Sequence, residues 1–319
     1  MDDGMHRDAA GPAAERLDGA AFDALYRRIT ALAHAGAHPR GALETITPAR
    51  VRAAVREVRT GRHVSLAAPV TTRPEPDDPD PARHPMTGAV AGRMAGRGLE
   101  FARDRIEMNV HGDADSHLDA LCHVVYDGTL YGGVPATTLT DEGAGALSVG
   151  LAAAGIVGRG VLLDIPGLRG VPWLEPGEWV TAEELLAAET AQGVRFGGGD
   201  LLFVRVGHRR RRRELGPWDA AAGRAGLHPG AVELLAERRV AVLGSDGNND
   251  CAPSPVDGVG FPVHVLAVRA LGVHLLDYLQ FEELLPLCRD EGRWSFLCVV
   301  APLRLAGGTG SPVSPVAVL

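Results

Sequence analysis

The sequence predicts an α/β fold from about residue 60 onward, behind a helical N-terminal extension, and two observations predict it. Apolar runs of strand length, bounded by glycine or proline, alternate with segments whose apolar residues recur at helical spacing. That alternation continues to the end of the chain with no internal repeat and no composition shift strong enough to mark another boundary. With 319 residues and 45% apolar content, the chain can bury a sizeable core. The expected division is residues 1–60 as the extension and 61–319 as the main domain.

Within the extension, residues 17–35 (LDGAAFDALYRRITALAHA) place Phe22, Leu25, Tyr26, Ile29 and Leu32 on one helical face. Thr47 and Pro48 supply an N-cap and a first-turn proline for a second helix through about Val58. RHVSLAAPV then reads as a strand, and TTRPEPDDPDPARHPMTG as a proline-rich loop that covers a site. GRGVLLDIPG (158–167) and DLLFVRVG (200–207) read as buried strands. Between them Thr181 and Glu184 form a capping box for the helix AEELLAAETA. HPGAVELLAERR reads as a helix, RVAVLGSD as a strand, VHVLAVRALG as a helix or a buried strand, and FEELLPLC as a helix.

The composition excludes several functions. A formal charge of −8 disfavours nucleic acid and anionic membrane as partners and leaves a small-molecule substrate. All 32 basic residues are arginine, so Schiff-base chemistry, a pyridoxal phosphate anchor and a Walker lysine are excluded. Cys122, Cys251, Cys288 and Cys298 lack CxxC spacing, the N-terminus is acidic, and no stretch reaches transmembrane length, so a cytoplasmic protein is expected. The glycines at 158–160 and 197–199 do not form GxGxxG opening a helix and read as turns. The run HRRRRRE (208–214) reads as a solvated loop without a catalytic role.

Chemistry concentrates in HGDADSHLDALCH, residues 111–123. As an extended strand, it turns His111, Asp113, Asp115, His117 and Asp119 to one face, a choice that neither packing nor strand propensity explains. From Ser116 the pattern changes: Ser116 with Asp119 resembles a capping box, which would begin a helix and bring Asp119 and His123 together at i, i+4. Imidazole and carboxylate converging in this way suit zinc, manganese or iron in an open catalytic site.

These residues resemble the metal-dependent cyclase superfamily that includes bacterial kynurenine formamidase and isatin hydrolase. Its signature is His-x-x-x-His-x-Asp-x-x-x-His, and SHLDALCH supplies the second half. The resemblance continues through YDGTLYGG, GRGVLLDI, GDLLFVRVG, AGLHPGAVELLAERRVAVLGSDG, PVHVLAVRALGVHLLDYL and APLRLAGGTGSPV, over roughly residues 60–319. It implies a swivelling β/β/α fold with a barrel-like mixed sheet flanked by helices, usually assembled as a homodimer. It makes His117 and Asp119 metal ligands and His123 a proton shuttle, with His264 and Asp277 completing the site or holding a second ion. Asp113 stands where the signature has its first histidine. As a ligand it would make the site harder and more anionic, favouring manganese or magnesium relative to zinc. His111 and Tyr131 are candidates for substrate binding. The implied cofactor is one divalent ion, or two, manganese or zinc. The implied reaction is hydrolytic opening of a cyclic amide, lactone or N-formyl amide of a small planar metabolite. The alternatives are cyclisation, dehydration or isomerisation at the same site, and a non-catalytic homologue without metal.

Overall fold

The structure, a computed structural model, describes residues 15–33, 38–90, 93, 96 and 98–319. Residues 1–14 of the expected extension, and 34 and 35 of its first helix, lie outside the described residues. Helix α1 (Gly19–Leu32) starts on Asp18, whose side chain accepts from the Ala21 amide, and α2 (Pro48–Val55) starts on Thr47 with proline in its first turn. Phe22, Leu25 and Ile29 of α1 are buried in the same apolar cluster as Leu235, Val263 and Leu275, so the extension shares its core with the rest of the chain.

A nine-stranded mixed sheet organises the molecule. In chain order its strands are β1 (His63–Ser65), β2 (His117–Asp119), β3 (Ile156–Asp164), β4 (Leu201–Arg205), β5 (Val242–Ser245), β6 (His274–Asp277), β7 (Ser295–Val300), β8 (Gly310–Pro312) and β9 (Val316–Val318). Across the sheet the order is β1-β9-β7-β3-β4-β5-β6-β2-β8, and the whole curls as a half-barrel flanked by helices. The four central strands β3 to β6 run parallel, and every other pairing is antiparallel. Apolar clusters cover both faces. That double burial explains why LLFVR is buried at every position, with no alternation to read.

The parallel strands are joined by α3 (Ala182–Gln192), α4 (His208–Leu215), α5 (Ala231–Arg238) and a helix that begins at Pro262–His264 and continues as a π-helix, Val265–Leu271. The predicted capping box of α3 is formed, and the segment left open between helix and strand is this last helix. After β6 the chain forms α6 (Leu284–Glu291). Polar residues gather at the carboxyl ends of the parallel strands, where open α/β sheets place their ligands. Arg205, 2% exposed at the end of β4, is one example: it donates to Asp164 at 2.8 Å and to Glu282 at 2.8 Å.

Two sequence expectations need correction here. The arginine run is not a solvated loop but helix α4. Arg212 grips Asp77 with two nitrogens and also bonds Glu75, while half-buried Arg209 donates to the carbonyls of Ala114, Tyr278 and Leu279. The charges are absorbed by the acidic proline-rich loop and by backbone oxygens, partners far off in sequence. Nor does Ser116 cap a helix: residues 117–119 are strand β2, paired to β6 and β8. The Ser116 hydroxyl instead accepts from the Ala68 amide and donates to the Tyr278 carbonyl.

His274, at the start of β6, is fully buried with no partner for either ring nitrogen, and burial pushes its pKa down to about 4 from 6.5. It is neutral in the fold but takes a proton near pH 6.5 once unfolded. Its contribution is therefore present above pH 6.5 and lost as pH falls from there through about 4, a change of about 3 kcal/mol. His274→Leu should flatten the fall in stability across that window, which urea unfolding at several pH values measures. An unchanged slope would contradict this.

Candidate metal centre

Strand β2 is held between β6 and β8, with His117 opposite Asp277 and Asp119 opposite Gly310. Opposed residues of an antiparallel pair share a face, so His117 and Asp277 point to the same side of the sheet, and Asp119, two residues on, joins them. The chain then turns, with the His123 amide donating to the Ala120 carbonyl, and brings His123 back towards Asp119. That turn does what the expected helix would have done. The α-helical turn Pro262–His264, just before the π-helix, delivers His264.

Four imidazoles surround the Asp119 carboxylate, which is 1% exposed. His111 Nδ1 lies 2.9 Å from Asp119 Oδ1, His117 Nε2 3.6 Å and His123 Nε2 4.0 Å, while His264 Nε2 lies 3.3 Å from Oδ2. The rings of His111 and His123 stack at 3.7 Å, 8° from parallel. Two compact donor sets result, His111–His117–Asp119 and Asp119–His123–His264, sharing the aspartate.

Neighbouring groups fix the tautomers. His117 Nδ1 donates to the Asp115 carbonyl at 2.8 Å, and His264 Nδ1 donates to Asp250 at 2.6 Å, so both rings present Nε2 to Asp119. Asp250 is fully buried and also accepts the amides of Val263 and His264, which locks the helix start to the ring it carries. His264 Nε2 lies 3.4 Å from Asp277 as well, and Asp277 is steadied by the side-chain amides of Asn248 and Asn249.

The electrostatics are those of a cation site. Burial opposes ionisation of Asp119, yet His123, His111, His264 and His117 hold its carboxyl well below the usual range. Burial likewise opposes charge on His264, but Asp119, Asp250 and Asp277 raise its pKa well above the ordinary value. Asp119 Oδ2 is buried without a hydrogen-bond partner. With its Nδ1 proton given to Asp250, His264 needs a cation on the Nε2 side, either a proton or a metal ion, to face two carboxylates. Burial, with Asp119 opposing it, takes His123 down to about 4 rather than the unperturbed 6.5, so its resident form at neutral pH is the neutral imidazole.

Three sequence candidates lie elsewhere. Asp113 is absent from both donor sets, and its Oδ1 accepts from the Tyr278 hydroxyl at 2.5 Å. Asp115 anchors the proline-rich loop by accepting the Thr71 amide. Tyr131 is 7% exposed and lies over Gly272, where a Cβ would come within 2.5 Å of its ring. It lines a cavity with Leu32, Gly41, Leu235 and Leu271 and is absent from both donor sets. A cavity of about 240 Å³ opens beside His111 and Asp113, bordered by Asp77, Asp80 and Asn109.

Sequence reasoning missed Asp250, Asn248, Asn249 and Tyr278. The signal was the polar run SDGNND directly after the strand VAVLG, at the carboxyl end of a parallel strand. Tyr278 follows Asp277 with a φ of +54°, a conformation rare outside glycine, which turns the chain out of β6. No helix among the described residues is long and apolar enough to cross a membrane.

Comparison with known proteins gives a consistent result. A family model, Cyclase, described as "Putative cyclase", matches residues 31–249. The crystal structure of a novel cyclase is 30% identical with a TM-score of 0.78, covering 88% of this chain and 94% of that one. Isatin hydrolase A from Labrenzia aggregata, bound to benzyl benzoate, shares the fold at 22% identity and a TM-score of 0.55, covering 80% of this chain and 93% of that one. An isatin hydrolase bound to the product analogue thioisatinate does so at 18% and 0.53, covering 85% and 95%. No curated protein sequence matches the chain.

Proposed function

The chain belongs to the cyclase family, and we propose that within it this protein is a metal-dependent hydrolase that opens a cyclic amide, lactone or N-formyl amide of a small planar metabolite. The observation that carries the reading is the Asp119 carboxylate, buried, lacking a partner on Oδ2 and ringed by four imidazoles. Such a donor set fits a divalent ion, manganese or zinc. His111, His117 and Asp119 would hold it, and His264, 3.3 Å from Asp119 and 3.4 Å from Asp277, would serve a second.

His111 replaces Asp113 as the third ligand in this reading. The first ligand then sits two residues upstream of the position the family signature suggests, and the donors are two imidazoles and one carboxylate. The extra negative charge expected from Asp113 is not brought to the ion, which removes the argument for magnesium.

A divalent ion bound there supplies Lewis acidity, polarising the substrate carbonyl and lowering the pKa of water. The chain's own residues do the rest. His123, neutral and partly open to solvent, accepts a proton from water as the water oxygen bonds to the carbonyl carbon. As the C–N or C–O bond breaks, the same imidazole returns that proton to the leaving nitrogen or oxygen, and the product is a carboxylate. His111, stacked on His123, keeps that ring's plane fixed through both transfers. Asp250 keeps the proton of His264 on Nδ1, away from the reacting side.

The test joins metal analysis to isotope incorporation. Protein purified without chelator should carry about one divalent ion or more per chain. Screening lactones, cyclic imides and N-formyl aromatics in oxygen-18 water should give a product with one solvent oxygen. Metal-free protein with no thermal shift on adding zinc or manganese would overturn the reading, and so would a product without solvent oxygen.

A further inference from the structure

Arg224 is 2% exposed, as buried as Arg205, but its partners differ. Arg205 is neutralised by Asp164 and Glu282. Arg224 donates from Nη1 to the carbonyls of Ala220 at 3.0 Å and Ala221 at 3.4 Å, and from Nε to the carbonyl of Asp250 at 3.1 Å. Among the described residues no carboxylate lies within ion-pair distance of it, and its Nη2 donates to nothing. A guanidinium has five donors, so this one keeps an Nη2 amino group without a protein partner, and that nitrogen is not among the fully buried unpaired atoms but stays reachable from outside.

Its location ties it to the metal centre by two routes. Its Nε holds the backbone of Asp250, the residue that orients His264. Its guanidinium carbon lies 5.0 Å from the centroid of the Phe261 ring, and that ring meets His264 edge-on at 5.6 Å. Phe261 is 49% exposed, a large aromatic side chain at the lip of a buried polar site. Tyr278, which bonds Asp113, lies near enough to feel the charge: burial and Asp113 push its phenol up, and Arg224 opposes them.

We propose that Arg224, with the Phe261 ring over it, forms a subsite for the carboxylate of a planar aromatic acid, borne by the substrate or formed when it opens. The proposal rests on the hydrolase reading for its orientation, because ring opening creates a carboxylate beside His264, but not for the binding itself. A guanidinium meets a carboxylate with paired N–H donors, and the exposed part of the Phe261 side chain supplies apolar contact for the attached ring. Neutral amides of the same shape satisfy only the second demand.

The probes are 2-aminobenzoate and 2-aminobenzamide, which differ in charge and hardly in shape, titrated calorimetrically into the full chain with and without bound zinc. The acid should bind about ten-fold or more tighter than the amide. That preference should persist in chelator-treated protein, since the guanidinium and not the ion reads the charge. Arg224→Gln should bring the two affinities within about two-fold of each other while the thermal unfolding transition stays cooperative. Should that variant fail to fold, Phe261→Leu serves instead. It leaves every Arg224 bond in place, weakens both probes by a similar factor and keeps their ratio. Equal affinities in the unaltered chain, an acid preference that vanishes with the metal, or a ratio lost in Phe261→Leu would each overturn the proposal. A protein that never holds metal yet still prefers the acid would sink the hydrolase reading and leave the subsite standing.

Discussion

His117→Ala should empty the metal centre, whereas His123→Ala should keep its metal and turn over about a hundred to ten thousand times more slowly. The two residues respond differently because they are held differently. His117 is 3% exposed on β2, its Nδ1 committed to the Asp115 carbonyl, so Nε2 has no use except as a donor beside Asp119. Removing it leaves His111 and Asp119 with too few donors for tight binding. His123 sits on a turn at the mouth, 4.0 Å from Asp119, with its ring stacked on His111 and burial keeping it neutral. Elemental analysis of the two variants, beside steady-state kinetics on any substrate found, decides the matter. If His123→Ala loses metal as completely as His117→Ala, the residue is a ligand and this division of roles fails.

The second large effect is on stability. Arg209→Met should lower the unfolding free energy by about 3 kcal/mol and weaken metal binding along with it. Arg209 ties the carbonyl of Ala114, in the histidine-rich segment, to those of Tyr278 and Leu279, just past Asp277. Methionine has the length of the stem but no donor, so three carbonyls lose a charged partner and the two segments lose their tie. Arg213→Met, on the exposed face of the same helix, should fall within about half a kcal/mol of the unaltered chain. Urea unfolding of both proteins, with a chelator competition for metal affinity, provides the comparison. Equal midpoints for Arg209→Met and Arg213→Met would show that the tie carries no load.

Much of the central sheet could be read before the fold was seen, because a buried parallel strand such as DLLFVRVG leaves a plain apolar run between breakers. The dense imidazole and carboxylate content of residues 111–123 likewise marked the site. What misled was local pattern. Ser116 and Asp119 have capping-box spacing, but the segment finds strand partners at 274–277 and 310–312, and two ladders outweigh one cap. Choosing between His111 and Asp113 needed the bends that carry one ring to Asp119 and the other side chain to Tyr278. The arginine run was misread because its partners, Glu75 and Asp77, lie more than a hundred residues upstream, and charge alone does not reveal a partner.

The pairing of β2 also governs when the centre can exist. Its neighbours are residues 274–277 and 310–312, and Thr309 hydrogen-bonds His111 at 3.0 Å, so nothing near in sequence holds the ligand strand. Closing loops of that span costs chain entropy before any contact repays it, which makes such pairings late events in folding. During synthesis, β2 leaves the ribosome long before either partner, and the ligand segment waits while almost two hundred further residues are made. Assembly of the donor strand is therefore coupled to synthesis of residues 274–277 and 310–312. A ribosome-bound fragment that ends between β6 and β8 has all four histidines but only one of the two strands that hold β2.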